Sequence, residues 1–92
     1  MIKCFEGGFS GTYSGTFNAV IYGNIIKAIS RETPYPGIYT NDGTVNNNQI
    51  NASGTSSSGA VFVGNLIGNN FSGTWSRTSD SANGTFTGVR TY

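Results

Sequence analysis

The segment from Phe71 to Arg90 constrains the fold more than any other part of this sequence. In the run Phe71–Trp75, aromatic and glycine residues alternate with Ser and Thr, and the run Gly84–Gly88 repeats the alternation after a polar turn. A period of two with aromatic and β-branched residues is the pattern of a β-strand with one buried face. The segment therefore predicts a β-hairpin, and the rest of the chain is predicted to be built in the same way.

The longest alternating run is Phe9–Tyr22, which places its rings on one face and Ser, Thr and Asn on the other. The run is long for a single strand, so we expect a bend at Gly15 or near Asn18. A short first strand over Ile2–Glu6 is expected before it, and the pair Gly7–Gly8 is expected to end that strand.

The middle of the chain predicts further short strands with tight connections. Gly23–Asn24 is predicted as a hairpin turn, and the isoleucine-rich run Asn24–Glu32 favours a strand over a helix. Thr33–Gly37 holds both prolines and is predicted as a loop. Ile38–Val45 predicts a weaker strand, in which Asp42–Gly43 is expected to form a turn or a bulge.

The next strands are separated by turns rich in Asn, Ser and Gly. Asn46–Asn48 is predicted as a turn, followed by a polar strand over Gln49–Ser56 and a turn at Ser57–Gly59. Ala60–Ile67 is apolar on both faces of the predicted strand, so we expect both faces to be covered. The core would cover one face, and a loop, a terminus or a partner would cover the other. Gly68–Asn70 then turns into the final hairpin.

The alternation of rings with glycine indicates how the strands close. A narrow barrel cannot hold a large side chain at every inward position, so a ring from one strand is expected to lie over the glycine of its neighbour. The rings predicted to fill the interior are Phe9, Tyr13, Phe17, Phe62, Phe71, Trp75 and Phe86. The predicted fold is therefore all-β, a small antiparallel up-and-down meander of seven or eight strands curled into a barrel or a rolled sheet. One domain is expected over residues 1–92.

The composition excludes several classes of function. The chain has no His, and its carboxylates, Glu6, Glu32, Asp42 and Asp80, are far apart in the sequence, so no catalytic residue, metal site or cofactor is predicted. Cys4 is the single cysteine, which rules out a disulfide within the chain. The net charge is +1 with no basic stripe, so nucleic-acid binding is not expected. No apolar segment is long enough to span a membrane as a helix.

The runs GTYSGTF, NFSGTW and NGTFTG resemble a Gly/Thr-rich bacterial β-meander domain, found in surface proteins and lipoproteins of uncharacterised function. The resemblance is strongest over Phe71–Arg90 and extends back to Tyr13. It implies a fold and carries no catalytic residues to transfer. The Gly-Thr-Trp run is also similar, more weakly, to avidin-like and lipocalin-like barrels, whose ligand-contact pattern is not recognisable here.

Three functions stay open from the sequence. The first is a non-catalytic interaction protein that binds a protein partner or itself as a homodimer, because a near-zero net charge weakens repulsion between copies. The second is a barrel that binds a small ligand or a carbohydrate. The third is an inhibitor or immunity-type protein that acts through a loop such as Thr33–Gly37. Tyr22, Tyr35 and Tyr39 lie near turns and are the predicted ligand or partner contacts. The chain as written predicts a cytoplasmic protein, with an exported module as the alternative.

Overall fold

The computed structural model describes residues 2–33, 38–54 and 60–92, and every regular element in these ranges is a β-strand. The strands are β1 (Ile2–Gly11), β2 (Ser14–Tyr22), β3 (Ile25–Thr33), β4 (Ile38–Asn46), β5 (Gln49–Gly54), β6 (Ala60–Ile67), β7 (Asn70–Arg77) and β8 (Ala82–Arg90). Among these residues, no helix is long and apolar enough to cross a membrane. The predicted all-β architecture and the strand over Asn24–Glu32 are confirmed.

The eight strands form a closed antiparallel barrel in sequence order, with β1 paired to β8. Each strand pairs with its neighbours along the chain, as short connections require. The turns after β2, β4 and β6 lie at one end together with residues 2 and 92, and we call it the termini end. The turns after β1 and β7 lie at the other end, where Arg77 forms ion pairs with Asp80 and Glu32. We call it the latch end. Because the sheet closes on itself, it has no free edge strand.

Aromatic rings fill the interior of the barrel. Phe5 is 1% exposed and stacks on Phe71, with ring centroids 4.9 Å apart. Further edge-on and tilted pairs run along the axis, and the rings that take part are Phe9, Tyr13, Phe17, Phe62, Trp75 and Phe86. The predicted set of core rings is confirmed, with Tyr13 and Phe62 partly buried. Phe5 was not in the predicted set, although it is the most buried ring.

The predicted packing of rings over glycines is also observed. A Cβ atom added to Gly73 would lie 2.8 Å from Cζ of Phe86, and one added to Gly84 would lie 2.6 Å from Nε1 of Trp75. The indole N–H of Trp75 donates a hydrogen bond to the carbonyl of Ser10 at 3.1 Å, across the barrel seam. Inward glycines therefore provide the space that the rings occupy.

The prediction that Gly7–Gly8 ends the first strand is wrong. Strand β1 runs through both glycines to Gly11, with continuous pairing to β2 and β8. The predicted single run over Phe9–Tyr22 is instead divided by a turn after Gly11, whose φ is +130°, so no bend at Gly15 or Asn18 is needed. Gly7 belongs to the strand because it faces inward, where the ring of Phe17 takes the place of a side chain.

The prediction of a turn or bulge at Asp42–Gly43 is also wrong. Asp42 pairs with Lys27 and Ser53, and Gly43 pairs with Ile26 and Ala52, in unbroken register. The turn that follows is at Asn47–Asn48, where both residues have positive φ, as predicted for that segment. The predicted loop over Thr33–Gly37 lies outside the described residues except for Thr33, which ends β3 and does not belong to a loop. The predicted turn at Ser57–Gly59 also lies outside the described residues.

Candidate functional site

A polar cluster at the latch end is centred on Arg77. Its guanidinium donates to both carboxylate oxygens of Asp80, from Nε at 3.2 Å and from Nη2 at 3.0 Å, and it pairs with Glu32 at 3.5 Å. It also lies 4.6 Å from the centre of the Tyr13 ring. The Tyr13 hydroxyl donates to Asp80 at 2.7 Å. Glu32 and Asp80, which are far apart in the sequence, therefore both pair with Arg77.

The electrostatics of this cluster favour its charged, hydrogen-bonded state. Hydrogen bonds from Arg77, and then from Tyr13, lower the pKa of Asp80 from 3.8 to about 2. The same bonds to Asp80 raise the pKa values of Arg77 and Tyr13. Every charged group in the cluster has a partner, so its direct role is to hold the β7–β8 turn against the β1–β2 turn. We therefore treat it as a structural latch.

The interior of the barrel leaves little room for a ligand. Two internal cavities lined by described residues measure about 40 and 30 Å³. A single water needs roughly 10–15 Å³ on this measure, whereas small-molecule pockets span about 300–1,000 Å³. Ser30 and Asn41 line both cavities, and the Asn41 amide donates to the Ser30 hydroxyl at 3.3 Å. The described interior fits a few waters and not an enclosed ligand.

The outer wall of the barrel has a charge-free half. On β5–β8, every exposed strand residue in the described ranges is uncharged except Arg90, which ends β8, and we call the uncharged surface the neutral face. Its members are Gln49, Asn51, Ser53, Val61, Val63, Asn65, Ile67, Asn70, Ser72, Thr74, Ser76, Asn83, Thr85, Thr87 and Val89. The outward positions of β1–β4, by contrast, carry Glu6, Lys27, Arg31 and Asp42.

The apolar centre of the neutral face is strand β6. Val61, Val63 and Ile67 are 42%, 48% and 72% exposed. The sequence predicted that this second apolar face would be covered by a loop, a terminus or a partner. No described loop or terminus covers it, so these side chains are open to solvent in the part of the chain that the structure describes.

Two open grooves cross the neutral face. One, of about 320 Å³, lies over β5–β7 and is lined in part by Asn51, Val63 and Thr74. The other, of about 400 Å³, lies over β6–β8 and extends onto β1, where it reaches Glu6 and Gly8. Both are surface depressions, so a ligand that fills them must come from outside the barrel wall.

The structure does not bring the predicted tyrosine contacts together. Tyr22 ends β2 and is 38% exposed at the termini end. Tyr39 is half-buried near the start of β4 and lines an internal cavity at the latch end. Tyr35 lies outside the described residues. The assignment of these tyrosines as contacts stays a prediction.

The sequence did contain a signal for the neutral face. From Gln49 to Val89 the chain carries only Arg77 and Asp80 as charged residues, and the structure shows that both belong to the latch. A count of the charged residues at the outward positions of each predicted strand would have distinguished the neutral face on β5–β8 from the charged wall on β1–β4. Glu6 and Gly8 had no such signal, because their place beside β8 depends on barrel closure.

Comparison with known proteins identifies the fold and no family. No protein-family model and no curated protein sequence matches this chain. Among solved structures, the chain is similar to that of a surface lipoprotein, with a TM-score of 0.73 and 9% sequence identity over 98% of this chain. The similar region covers 61% of the lipoprotein chain, so this chain spans less than two thirds of that protein. At this identity the likeness shows a shared barrel fold.

Proposed function

We propose that this barrel is a non-catalytic binding domain that contacts a protein partner through the neutral face. The observation that carries the proposal is the absence of charge from the outward positions of four consecutive strands, with apolar side chains exposed at their centre. Depletion of charged residues is what distinguishes the core of a protein–protein interface from the rest of a surface. A surface designed for solubility, by comparison, carries about 25–35% charged residues.

The rest of the described molecule supports this choice over the alternatives. An enclosed small ligand has no room inside the barrel, and the latch satisfies its own charges. The inhibitor alternative through Thr33–Gly37 depends on residues outside the described ranges and stays a prediction. The likeness to a surface lipoprotein favours the exported module over the cytoplasmic alternative.

Two matched substitutions test the proposal. Val63→Lys places a charge at the centre of the neutral face, and Ile29→Lys places the same charge on the opposite wall, at a strand position with similar exposure (48% against 43%). A tagged barrel is incubated with extract and surface fractions of its source organism. We expect a retained protein that Val63→Lys loses and Ile29→Lys keeps. Equal retention by both variants, or retention lost only with Ile29→Lys, would contradict the proposal.

A second copy of the chain is one partner that such a face accepts, since a net charge of +1 gives little repulsion between copies. Sedimentation equilibrium of the wild type, Val63→Lys and Ile29→Lys separates this case. A dimer that Val63→Lys alone dissociates supports self-association through the neutral face. A wild-type monomer at millimolar concentration removes self-association and leaves the interaction with another protein to be tested.

A further inference from the structure

One strand glycine in the described residues has its Cβ position on the outer face of the barrel. Gly7, Gly15, Gly64, Gly73, Gly84 and Gly88 all face inward, where an added Cβ atom would meet a ring or the neighbouring backbone. At Gly8 the Cβ atom would point outward, and the nearest atom would be the carbonyl oxygen of Gly15 at 3.3 Å. Glycine weakens a strand by roughly 0.5–1 kcal/mol relative to alanine. Gly8 therefore keeps the outer surface low at this point, and an added methyl group would press only on that carbonyl oxygen.

This low point is the floor of the larger surface groove. Gly8 pairs with Thr87, which pairs in turn with Ser72, so the groove floor is polar and low. The adjacent row, on the side of the termini end, carries larger side chains. In that row Glu6 pairs with Val89, which is 54% exposed, and Ile67 lies two strands further at 72% exposed.

The groove combines one wall that carries exposed apolar side chains, Val89 and Ile67, with one carboxylate and no positive charge. Its lining contains Glu6 as the only charged residue, and no described Lys or Arg forms an ion pair with that carboxylate. A groove that is bordered by aliphatic side chains and ends at a carboxylate matches a side chain with an apolar stem and a cationic head. Lysine and arginine are the natural side chains of that form.

We infer that the groove over Gly8 receives a lysine or arginine side chain of the protein that covers the neutral face. The inference rests on the proposed function, because the groove is the margin of the same surface. The stem lies over Thr87 and packs against Val89, and the cationic head pairs with Glu6, two residues before Gly8 on β1. The partner is therefore expected to have a neutral, apolar contact surface with one lysine or arginine side chain at its margin.

The test uses a defined probe and needs no knowledge of the partner. The ¹⁵N-labelled barrel is titrated with the blocked tripeptide Gly-Lys-Gly, and with the same peptide carrying norleucine, which keeps the stem and lacks the charge. We expect saturable amide shifts at Gly8, Ser72 and Thr87, with dissociation in the millimolar range for lysine and weaker binding for norleucine. Shifts that do not saturate, or that are equal for the two peptides, would overturn the inference.

Three variants localise the binding. Glu6→Gln should weaken lysine binding about two- to five-fold, the range for an exposed ion pair, and Gly8→Val should abolish it by filling the floor. Asp42→Asn removes another exposed carboxylate from the opposite wall and should leave binding unchanged. Well-dispersed spectra and a melting temperature no lower than that of the wild type show that Gly8→Val folds. Loss of binding with Asp42→Asn, or full binding with Gly8→Val, would contradict the site.

The result is independent of the retention experiment on the neutral face. If the lysine peptide does not bind while Val63→Lys still loses a retained protein, the groove inference fails and the proposed function stands. If Val63→Lys and Ile29→Lys retain protein equally while the peptide binds through Glu6, the groove is a separate site and the proposed function fails.

Discussion

The contrast between an inward and an outward glycine gives a quantitative prediction for the barrel. In Gly73→Ala, the new Cβ atom meets the carbonyl oxygen of Val63, lies 2.5 Å from Cα of Gly64 and lies 2.8 Å from Cζ of Phe86. Since two of these neighbours are backbone atoms, strands β6 and β7 must separate to admit the methyl group. Overpacking costs about 1–3 kcal/mol, and a backbone clash belongs at the upper end of that range.

The expected loss is a large part of the total stability. A domain of 92 residues is stable by about 5–14 kcal/mol. A loss of about 3 kcal/mol lowers the melting temperature of such a domain by about 12–24 °C. Gly8→Ala, by contrast, adds a methyl group that points outward and has one close neighbour, the carbonyl oxygen of Gly15 at 3.3 Å, so its effect should be far smaller than that of Gly73→Ala.

Urea denaturation followed by fluorescence measures both changes. Trp75 is the only tryptophan and is 5% exposed, so its emission reports unfolding of the core. We expect the midpoint to fall for Gly73→Ala and to change much less for Gly8→Ala, with the slope unchanged. If Gly73→Ala is neutral, inward glycines are not required by packing. If Gly8→Ala is as destabilising as Gly73→Ala, Gly8 has a structural role and the inference about the groove loses its basis.

Other predictions concern the core and the latch. Phe5→Ala should cost about 3–5 kcal/mol in urea denaturation, because it removes a buried ring stacked on Phe71; a cost below about 1 kcal/mol would contradict the packing. The folded-state pKa of Asp80, about 2 against 3.8, means that its stabilising contribution is present above about pH 4 and is lost as the pH falls from 3.8 towards 2. Thermal melts of the wild type should therefore lose more stability over this interval than those of Asp80→Asn, and parallel losses would contradict the latch. Tyr13→Phe removes a hydrogen bond to that carboxylate, so an NMR titration should show the pKa of Asp80 rising towards 3.8, and an unchanged pKa would contradict the bond.

The sequence predicted the fold because strand periodicity and turn chemistry are local. The alternation in Phe71–Trp75 and in Gly84–Gly88 places rings and glycines on one face, and the structure confirms both runs. The turns at Gly23 and at Asn47–Asn48 use residues that accept positive φ. The same local rules failed at Gly7–Gly8, since a glycine pair can end a strand or continue it beneath a ring. Only the neighbouring strand decides between the two.

The candidate site depended on contacts that local patterns do not contain. Arg77 meets Asp80 three residues away, but it meets Glu32 only because β3 and β7 face each other across the interior. Glu6 becomes the neighbour of Val89 only when β1 pairs with β8. The predicted contact residues Tyr22 and Tyr39 were chosen for their nearness to turns, and the barrel places them at opposite ends. The neutral face was readable from the sparse charge after Gln49, once strands had been divided into inward and outward positions.

Site-specific photo-cross-linking tests the binding role of the neutral face most directly. A photoreactive phenylalanine analogue replaces Val63 in one protein and Ile29 in another, and both are irradiated in the source organism. We predict a protein adduct at position 63 and none at position 29. Adducts of equal yield at both positions, or an adduct at position 29 alone, would contradict the account.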